Sequence, residues 1–217
     1  AGLDGTPDYL INTNLMGTIN CLNFAKKSKA KFIFLSTSRV YPIKAIEKLN
    51  YKETATRFEL TDQQTIEGVS SKGIAENFPL SGARSLYGAT KLASELIIQE
   101  YQEFYGLQSV INRFGVITGP WQMGKADQGV MVLWVAKHFY QQQLAYIGYG
   151  GTGKQTRDML HVADVFKLID YQIHNFEIVN GEILNAGGGV EISASLQELT
   201  DICQKVTGKT ITINPVL

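Results

Sequence analysis

The sequence is poor in cysteine and carries no excess of charge of either sign. Its 217 residues include two cysteines, and 20 lysines and arginines balance 20 aspartates and glutamates. A net charge of zero gives no electrostatic reason to expect nucleic acid or an anionic membrane as a partner, so a small-molecule ligand is the default expectation. Cys21 and Cys203 lie in segments of helical periodicity. Two thiols in a chain of this size indicate reduced packing residues of a cytoplasmic protein.

Long apolar runs and clusters of metal ligands are missing as well. The longest apolar stretches, around Val130–Val135 and Leu96–Ile98, are far shorter than the ~20 residues that a membrane span needs, which predicts a soluble protein with no membrane partner. Histidine and cysteine do not cluster at ligand spacing, so we expect no metal site. The first residues, from Ala1, include neither an initiator methionine nor a signal peptide, and we expect an interior start.

Segments of helical and strand periodicity alternate along the chain. Helices are predicted over 14–29, 86–105, 130–143 and 162–175, and from the capping box Ser195–Glu198 to about Gly208. Strands are predicted over 31–36, 108–114, 144–147, 156–160 and 182–186. This alternation predicts an α/β fold with a mainly parallel sheet. The polar stretch 43–84 is too long for an ordinary connection and is therefore a candidate functional segment.

A tyrosine and a lysine, Tyr87 and Lys91, stand four residues apart in the helix predicted over 86–105. This spacing places them about one turn apart on the same face. An ammonium beside a phenol favours the phenolate and lowers the tyrosine pKa from about 10, which suits an acid–base catalyst. The same spacing is common on solvated helix faces, so by itself it does not establish a site.

Hydroxyl residues at Ser36–Ser38 give this pair its context. They end the strand predicted over 31–36, and ligands of open α/β sheets bind at the carboxyl ends of the strands. Hydroxyls at such a place either face a site or cap the next turn. Followed by Val40–Tyr41 and then by Tyr87-x-x-x-Lys91, they form a pattern that resembles the extended short-chain dehydrogenase/reductases.

This resemblance implies a Rossmann-type fold, NAD as the cofactor, and a role for each matching residue. Thr37 would hydrogen-bond the sugar hydroxyl that is oxidised, Tyr87 would act as general base and then acid, and Lys91 would hold the nicotinamide ribose. Ser36 and Asn14 would lie beside the cofactor, and Asn14 would have a structural or proton-relay role. Family members often pair through helices that include the one carrying this tyrosine, which implies a homodimer or a higher homo-oligomer.

The second half of the chain resembles the part of these enzymes that binds a nucleotide sugar. Arg157 begins an Arg-Asp-Met-Leu-His-Val-x-Asp segment whose arginine would bind the pyrophosphate, and a guanidinium fork suits that ligand. Lys154 and Gln155 would contact the same diphosphate. Asp127 and Gln128 would contact the substrate or cap a helix. These segments resemble the epimerases that invert carbon 2 of a CDP-linked dideoxyhexose, so a CDP-sugar is the expected substrate.

Ser38 and Arg39 follow Thr37 at places where the family's dehydratases carry acidic residues. Elimination of water would lack its acid and base here, so the resemblance implies an epimerase, which oxidises one carbon to a keto-sugar and reduces it again from the other face. Two alternatives remain at this stage: another nucleotide-sugar epimerase or dehydratase, and a non-catalytic fragment that binds a sugar nucleotide.

The glycine-rich segment Gly148–Gly153 fits the pattern G-x-G-x-x-G and, read on to Lys154, nearly fits a P-loop. Either motif would cradle phosphates at the start of a helix. Gln155 stands where a P-loop needs serine or threonine, and the residues after it are expected to form a strand. We therefore expect a surface loop leading to Arg157, and a P-loop phosphotransferase is a further alternative.

The family's first βαβ unit, whose glycine-rich turn receives the NAD pyrophosphate, has no counterpart before Asn14. We therefore expect an internal fragment: a Rossmann-type sheet without its first βαβ half, joined to part of a smaller C-terminal substrate domain. Residues 1–120 would belong to the NAD-binding domain and residues 121–217 mostly to the nucleotide-sugar-binding region, with about 156–187 returning to the first domain. Catalysis is then expected of the full-length protein.

Overall fold

The structure is a computed structural model that describes residues 6–125 and 128–216, and it alternates helices and strands as predicted. Its helices are α1 (Pro7–Leu10), α2 (Gly17–Ser28), α3 (Ile43–Ile46), α4 (Leu86–Tyr105), α5 (Val130–Phe139), α6 (Val162–His174), α7 (Phe176–Val179) and α8 (Leu196–Thr207). Its strands are β1 (Phe32–Thr37), β2 (Tyr51–Glu53), β3 (Phe58–Leu60), β4 (Val69–Ser70), β5 (Gly73–Ile74), β6 (Ser109–Phe114), β7 (Val116–Thr118), β8 (Leu144–Ile147), β9 (Thr156–His161), β10 (Ile183–Ala186), β11 (Ser193–Ser195) and β12 (Ile213–Val216). The α/β fold class is confirmed.

A parallel sheet in the order β1-β6-β10 organises the fold. Strand β1 pairs with β6 from Phe32 opposite Ser109 to Thr37 opposite Phe114. Strand β10 joins the other side of β6 and ends with Ala186 opposite Phe114. The three strands therefore end side by side, and their last residues form the carboxyl edge of the sheet.

The remaining strands form smaller sheets. Strand β9 pairs in parallel with β7 and antiparallel with β11, while β8 pairs in parallel with β12. The polar stretch 43–84 contains the short helix α3 and the hairpins β2–β3 and β4–β5. Leu49 and Phe78 of this stretch are buried in a core that it shares with Val40 and Tyr41, which precede it, and with Leu92 of α4. The stretch is thus a folded part of the molecule. Its helix and strands are only two to four residues long, too short to produce a recognisable periodicity in the sequence.

Helix α4 has the bounds that the sequence predicts, because both of its ends are capped. The Ser85 side chain accepts a hydrogen bond from the Gly88 N–H at 3.1 Å, and Gly106 ends the helix with a φ of 64°, the left-handed conformation that glycine adopts without strain. The capping box of Ser195 and Glu198 likewise opens α8, as predicted.

Two helix ends differ from the predictions. The helix predicted from Asn14 begins earlier, at α1, where the Thr6 side chain accepts a hydrogen bond from Tyr9 and Pro7 occupies the first turn. A π-helical stretch, Ile11–Met16, then joins α1 to α2. The helix predicted to reach residue 143 ends at Phe139, shortly before Gln141 adopts a left-handed φ of 53°.

The sheet face beneath α2 and α4 carries a hydrophobic core. Leu22 from α2 and Ile98 from α4 are fully buried against Phe34 and Ile111 of the two strands. A separate core joins α5 to α8 around Trp134, Leu199 and Cys203, and burial raises the pKa of the Cys203 thiol to about 11, as fits a packing residue. No helix within residues 6–125 and 128–216 is long and apolar enough to cross a membrane.

We predict that Ile98→Ala destabilises the protein by about 2–5 kcal/mol, because the side chain is fully buried and its removal leaves a cavity between helix and sheet. The measurement is the free energy of unfolding by chemical denaturation. Ile173→Ala is the matched control, since that side chain on α6 is 56% exposed, and it is expected to change the free energy by less than about 1 kcal/mol. Equal effects of the two substitutions would contradict this description of the core.

Candidate active site

Thr37 is the last residue of β1 and lies at the carboxyl edge of the sheet. Its Oγ1 accepts a hydrogen bond from the Arg39 N–H at 3.2 Å, so it caps the 3₁₀ turn Ser38–Val40. A threonine hydroxyl that accepts one bond still has its own proton to donate. The capping role and a role toward a ligand are therefore compatible.

The turn after Thr37 packs directly on the first turn of α4, next to Tyr87. Gly88 makes this approach possible, because a β-carbon at this position would collide with the carbonyl oxygen of Arg39. Tyr87 itself is partly buried. The absence of a side chain at position 88 thus brings the end of β1 and the start of α4 together.

Lys91 lies one turn further along α4 and also contacts β1. Its ammonium is 4.0 Å from the centroid of the Phe34 ring, and within residues 6–125 and 128–216 it has no hydrogen-bond partner. Burial lowers the pKa of Lys91 to about 8, against the opposing effect of the negative charge of Glu95. The ammonium therefore has donors available for a ligand, and it is close to its titration range at physiological pH.

Asn14 and Ser36 both contact α4. The Asn14 amide donates to the Thr90 hydroxyl at 3.2 Å, and Thr90 donates in turn to the Tyr87 carbonyl at 2.8 Å. Asn14 lies in the π-helical stretch, a type of distortion that is frequent at functional sites. The buried Ser36 hydroxyl donates to the carboxylate of Glu95, so its proton is already used and is not available for the expected cofactor contact.

Residues 4–187 match the NAD dependent epimerase/dehydratase family. The chain belongs to this family. It is 31% identical over 202 residues to the CDP-paratose 2-epimerase of Salmonella typhi, which covers 88% of this chain and 54% of that protein. It is 30% identical over 206 residues to a putative UDP-glucose 4-epimerase of Methanocaldococcus jannaschii, with coverages of 93% and 55%. The chain thus spans about half the length of the curated relatives it matches.

Solved structures of similar fold agree with this membership. Pal from Bacillus thuringiensis superimposes with a TM-score of 0.67 at 26% identity, over 93% of this chain and 53% of that one. The UDP-glucuronic acid 4-epimerase of Bacillus cereus, in complex with UDP-glucuronic acid and NAD, reaches a TM-score of 0.70 at 23% identity, over 95% and 55%. The Rossmann-type fold and NAD as the family's cofactor are therefore confirmed.

The residues expected to bind the nucleotide sugar lie on separate elements of this epimerase/dehydratase chain. Arg157 is exposed on β9, and its Nη1 donates to the Thr156 carbonyl at 2.8 Å. Gln155 is buried, and its amide donates to the Ile147 carbonyl at 3.3 Å. Gln128 is exposed. Asp127 lies outside the described residues. Arg157 and Gln128 are thus accessible to a ligand, whereas Gln155 is not exposed.

The glycine-rich loop does not have the structure of a P-loop. It contains a short 3₁₀ turn, Tyr149–Gly151, and leads into strand β9 rather than into a helix. Lys154 does not extend over the loop, because its ammonium binds the Glu53 carboxylate at 2.8 Å and the Thr54 carbonyl at 2.9 Å. The prediction of a loop leading to Arg157 is confirmed. Lys154 would have to leave these partners to contact a diphosphate.

An ion pair between Arg57 and Glu198 ties hairpin β2–β3 to the start of α8. The guanidinium binds both carboxylate oxygens, with Nη2 2.5 Å from Oε2 and Nε 2.8 Å from Oε1, and it also donates to Ser193. Glu198 accepts further bonds from Thr56 and from the Ser195 N–H. These bonds, those from Arg57 first, lower the pKa of Glu198 to about 2. The capping box indicated Glu198, but nothing local indicated Arg57 as its partner.

Since folding lowers the pKa of Glu198, its ion pair stabilises the protein above the ordinary glutamate pKa of about 4.5 and loses that effect as the pH falls toward 2. We predict that the free energy of unfolding at pH 6 is about 1–2 kcal/mol higher for wild type than for Glu198→Gln, a value that allows for solvent screening. This difference should shrink toward pH 3. Chemical denaturation across this range measures it. Glu100→Gln, an exposed glutamate of α4, should show no such trend. A difference that is independent of pH would contradict the assignment.

Proposed function

We propose that the full-length protein is an NAD-dependent nucleotide-sugar epimerase. The observation that carries the proposal is the packing of α4 on the end of β1, where Gly88 admits the turn after Thr37 and Lys91 lies over Phe34. This arrangement gathers a hydroxyl, a phenol and an ammonium in a chain of the epimerase/dehydratase family. The three groups suffice for acid–base work at a single carbinol carbon.

Each of these groups has a defined task in such a reaction. Tyr87 as phenolate takes the proton of the sugar hydroxyl, and it returns the proton when the carbonyl is reduced. Thr37 donates a hydrogen bond to the same sugar oxygen. Lys91 places a positive charge one turn further along the same helix. NAD supplies the hydride acceptor for the oxidation and the hydride donor for the reduction.

The residues at the carboxyl edge suit the nicotinamide end of NAD. The partly buried ammonium of Lys91 has donors without partners among the described residues, and ribose hydroxyls are acceptors of matching chemistry. Tyr87 lies one turn before it, and Ser36 is the second-to-last residue of the neighbouring strand β1. Asn14 supports this arrangement through Thr90, which is bonded to the Tyr87 carbonyl. These four residues are the proposed cofactor contacts.

The residues after Thr37 favour epimerisation over dehydration. Ser38 and Arg39 are both exposed at the start of the turn. Neither supplies a carboxylate that would accept a proton from the carbon next to the keto group and donate one to a leaving hydroxyl. The keto-sugar is therefore expected to turn over in the site and to be reduced from its other face.

The proposed substrate is a CDP-linked dideoxyhexose inverted at carbon 2, as in the CDP-paratose 2-epimerase that is 31% identical to this chain. Arg157, exposed at the start of β9, is the proposed ligand of the diphosphate, because a guanidinium binds two phosphate oxygens at once. Gln128 and Asp127 are proposed to contact the sugar or the base. We also propose that the protein forms a homodimer or a higher homo-oligomer through helices that include α4. A cytoplasmic location is part of the same proposal.

We predict that Tyr87→Phe in the full-length protein lowers kcat for CDP-sugar epimerisation by about 10²–10⁴-fold, because the phenol that moves the proton is lost. Turnover is followed by NMR of the sugar. The nucleotide affinity, measured by calorimetry, should change little. Tyr105→Phe is the matched control on the same helix, at a 54% exposed side chain, and should keep full activity. Retained turnover in Tyr87→Phe would refute the role of Tyr87. Nucleotide binding without turnover in wild type would leave a non-catalytic binding protein.

We further predict that Arg157→Ala weakens CDP-sugar binding at least tenfold in calorimetry of the full-length protein, because the charged contact to the diphosphate is removed. Lys205→Ala removes a positive charge from an exposed position of α8 and should leave the Kd within twofold. Wild type is expected to bind CDP more tightly than UDP or dTDP. Equal binding of the three nucleotides would contradict the proposed base preference, and an unchanged Kd in Arg157→Ala would contradict the diphosphate contact.

A further inference from the structure

A carboxylate with no exposure to solvent lies on the same helix as Tyr87 and Lys91. Glu95 is fully buried and faces Arg113 of β6, which is 3% exposed. Arg113 Nη2 lies 2.8 Å from Glu95 Oε2, and its Nε lies 3.1 Å from the same oxygen. Glu95 follows Lys91 by four residues and Tyr87 by eight, so all three share one face of α4.

The same carboxylate also holds the end of β1. The Ser36 hydroxyl donates to Glu95, and Ser36 directly precedes Thr37. One buried side chain therefore joins α4, β1 and β6 at the carboxyl edge of the sheet. A change in its position would shift Thr37 relative to Tyr87.

The network continues from Arg113 to the segment after Thr37. Arg113 Nη1 donates to the Tyr41 hydroxyl at 3.2 Å, and Tyr41 donates to Asn185 Oδ1 of β10 at 2.7 Å. The Asn185 amide binds the Ile74 carbonyl at 2.9 Å. The turn Ser38–Val40 thus lies between two anchored residues, Ser36 and Tyr41.

A buried ion pair is a poor device for stability, because desolvation of both charges offsets their attraction, and an apolar pair of similar size is often as stable. An ion pair supplies a fixed geometry and charge, which an apolar pair would not supply. The elements packed on α4 are α1, the π-helical stretch, α2, β1, the turn after β1, and β6. Their charged or titratable groups are Asp8 and Tyr9 of α1, Cys21, Lys26 and Lys27 of α2, Arg39 of the turn and Arg113 of β6, and on α4 itself Tyr87 and Glu95 lie nearest to Lys91 in sequence. Glu95 is the neighbour that opposes the effect of burial on the Lys91 pKa.

We propose that Glu95 is a positioning residue of the candidate active site: it holds the end of β1 against α4 so that Thr37 faces Tyr87, and it provides the negative charge near Lys91. This inference rests on the proposed function for its catalytic consequence. The geometry on which it stands is independent of the substrate.

The test compares Glu95→Gln with wild type in the full-length protein. Glutamine keeps the shape and can bond Ser36, but it removes the charge. We expect kcat to fall at least tenfold with KM within twofold, and the alkaline limb of the kcat–pH profile to move down by at least half a pH unit. Ser36→Ala should lower kcat severalfold without moving that limb, because it loosens the strand and leaves the charge. Glu103→Gln, exposed on the same helix, should change neither.

A second measurement does not depend on turnover. The pH dependence of Lys91 acylation by acetic anhydride, followed by mass spectrometry, gives the midpoint of its titration, and in Glu95→Gln we expect this midpoint to fall by at least half a pH unit. If Glu95→Gln does not fold, Glu95→Gln/Arg113→Gln removes both charges of the pair, and the midpoint should then fall by less, because loss of the Arg113 charge partly offsets loss of the carboxylate. An unchanged midpoint together with an unchanged kcat in a folded variant overturns the proposal. If wild type epimerises no sugar nucleotide, the proposed function is refuted. If the midpoint is nevertheless shifted in Glu95→Gln, the effect of Glu95 on Lys91 still holds.

Discussion

The packing of α4 against the carboxyl end of β1 is the constraint on which the candidate site depends. It requires a glycine at position 88, because the Arg39 carbonyl occupies the space of a side chain there, and it places Lys91 over the ring of Phe34. Behind these contacts Ile98 and Leu22 fill the space between the helices and the sheet. Tyr87, Lys91 and Thr37 therefore take their relative positions from a packed interface rather than from a mobile loop, and this is the condition for proton transfer over a hydrogen-bond distance.

Charge within this interface is arranged around a single carboxylate. Glu95 is buried between Arg113, which neutralises it, and Lys91, whose pKa burial lowers to about 8. Burial alone would favour a neutral amine, while the carboxylate favours the ammonium. The balance leaves a lysine that is charged at neutral pH but close to its titration range.

Strand β10 joins the second half of the chain to the first through the central sheet and its core, whereas hairpin β2–β3 is joined to α8 and β9 by polar contacts. Arg57 and Glu198 link hairpin β2–β3 to α8, and Lys154 binds Glu53 and Thr54 of the same hairpin. Strand β9, which carries Arg157, lies next to these contacts, since Thr156 donates to the Phe58 carbonyl at 2.9 Å. The position of the candidate diphosphate ligand relative to the hairpin thus depends on ion pairs. Family membership is established for the chain and NAD is the cofactor of that family, whereas the substrate is the subject of the proposals above.

Much of the fold and part of the site follow from local sequence patterns. The periodicity and caps of α4, the apolar runs of β1 and β6, and the capping box of α8 act within a few residues, so the sequence by itself determined these elements and the pairing of Tyr87 with Lys91 on one face. The folded character of 43–84, the π-helical turn around Asn14, and the partners of Glu95 and Arg57 were decided only by the tertiary structure. Arg57 and Glu198 are 141 residues apart in the sequence. From the sequence alone Glu95 is indistinguishable from a solvated helix glutamate, and its burial follows from the packing of α4 on the sheet. Burial and long-range pairing arise from the way the strands are ordered, and no local pattern of residue types encodes that order.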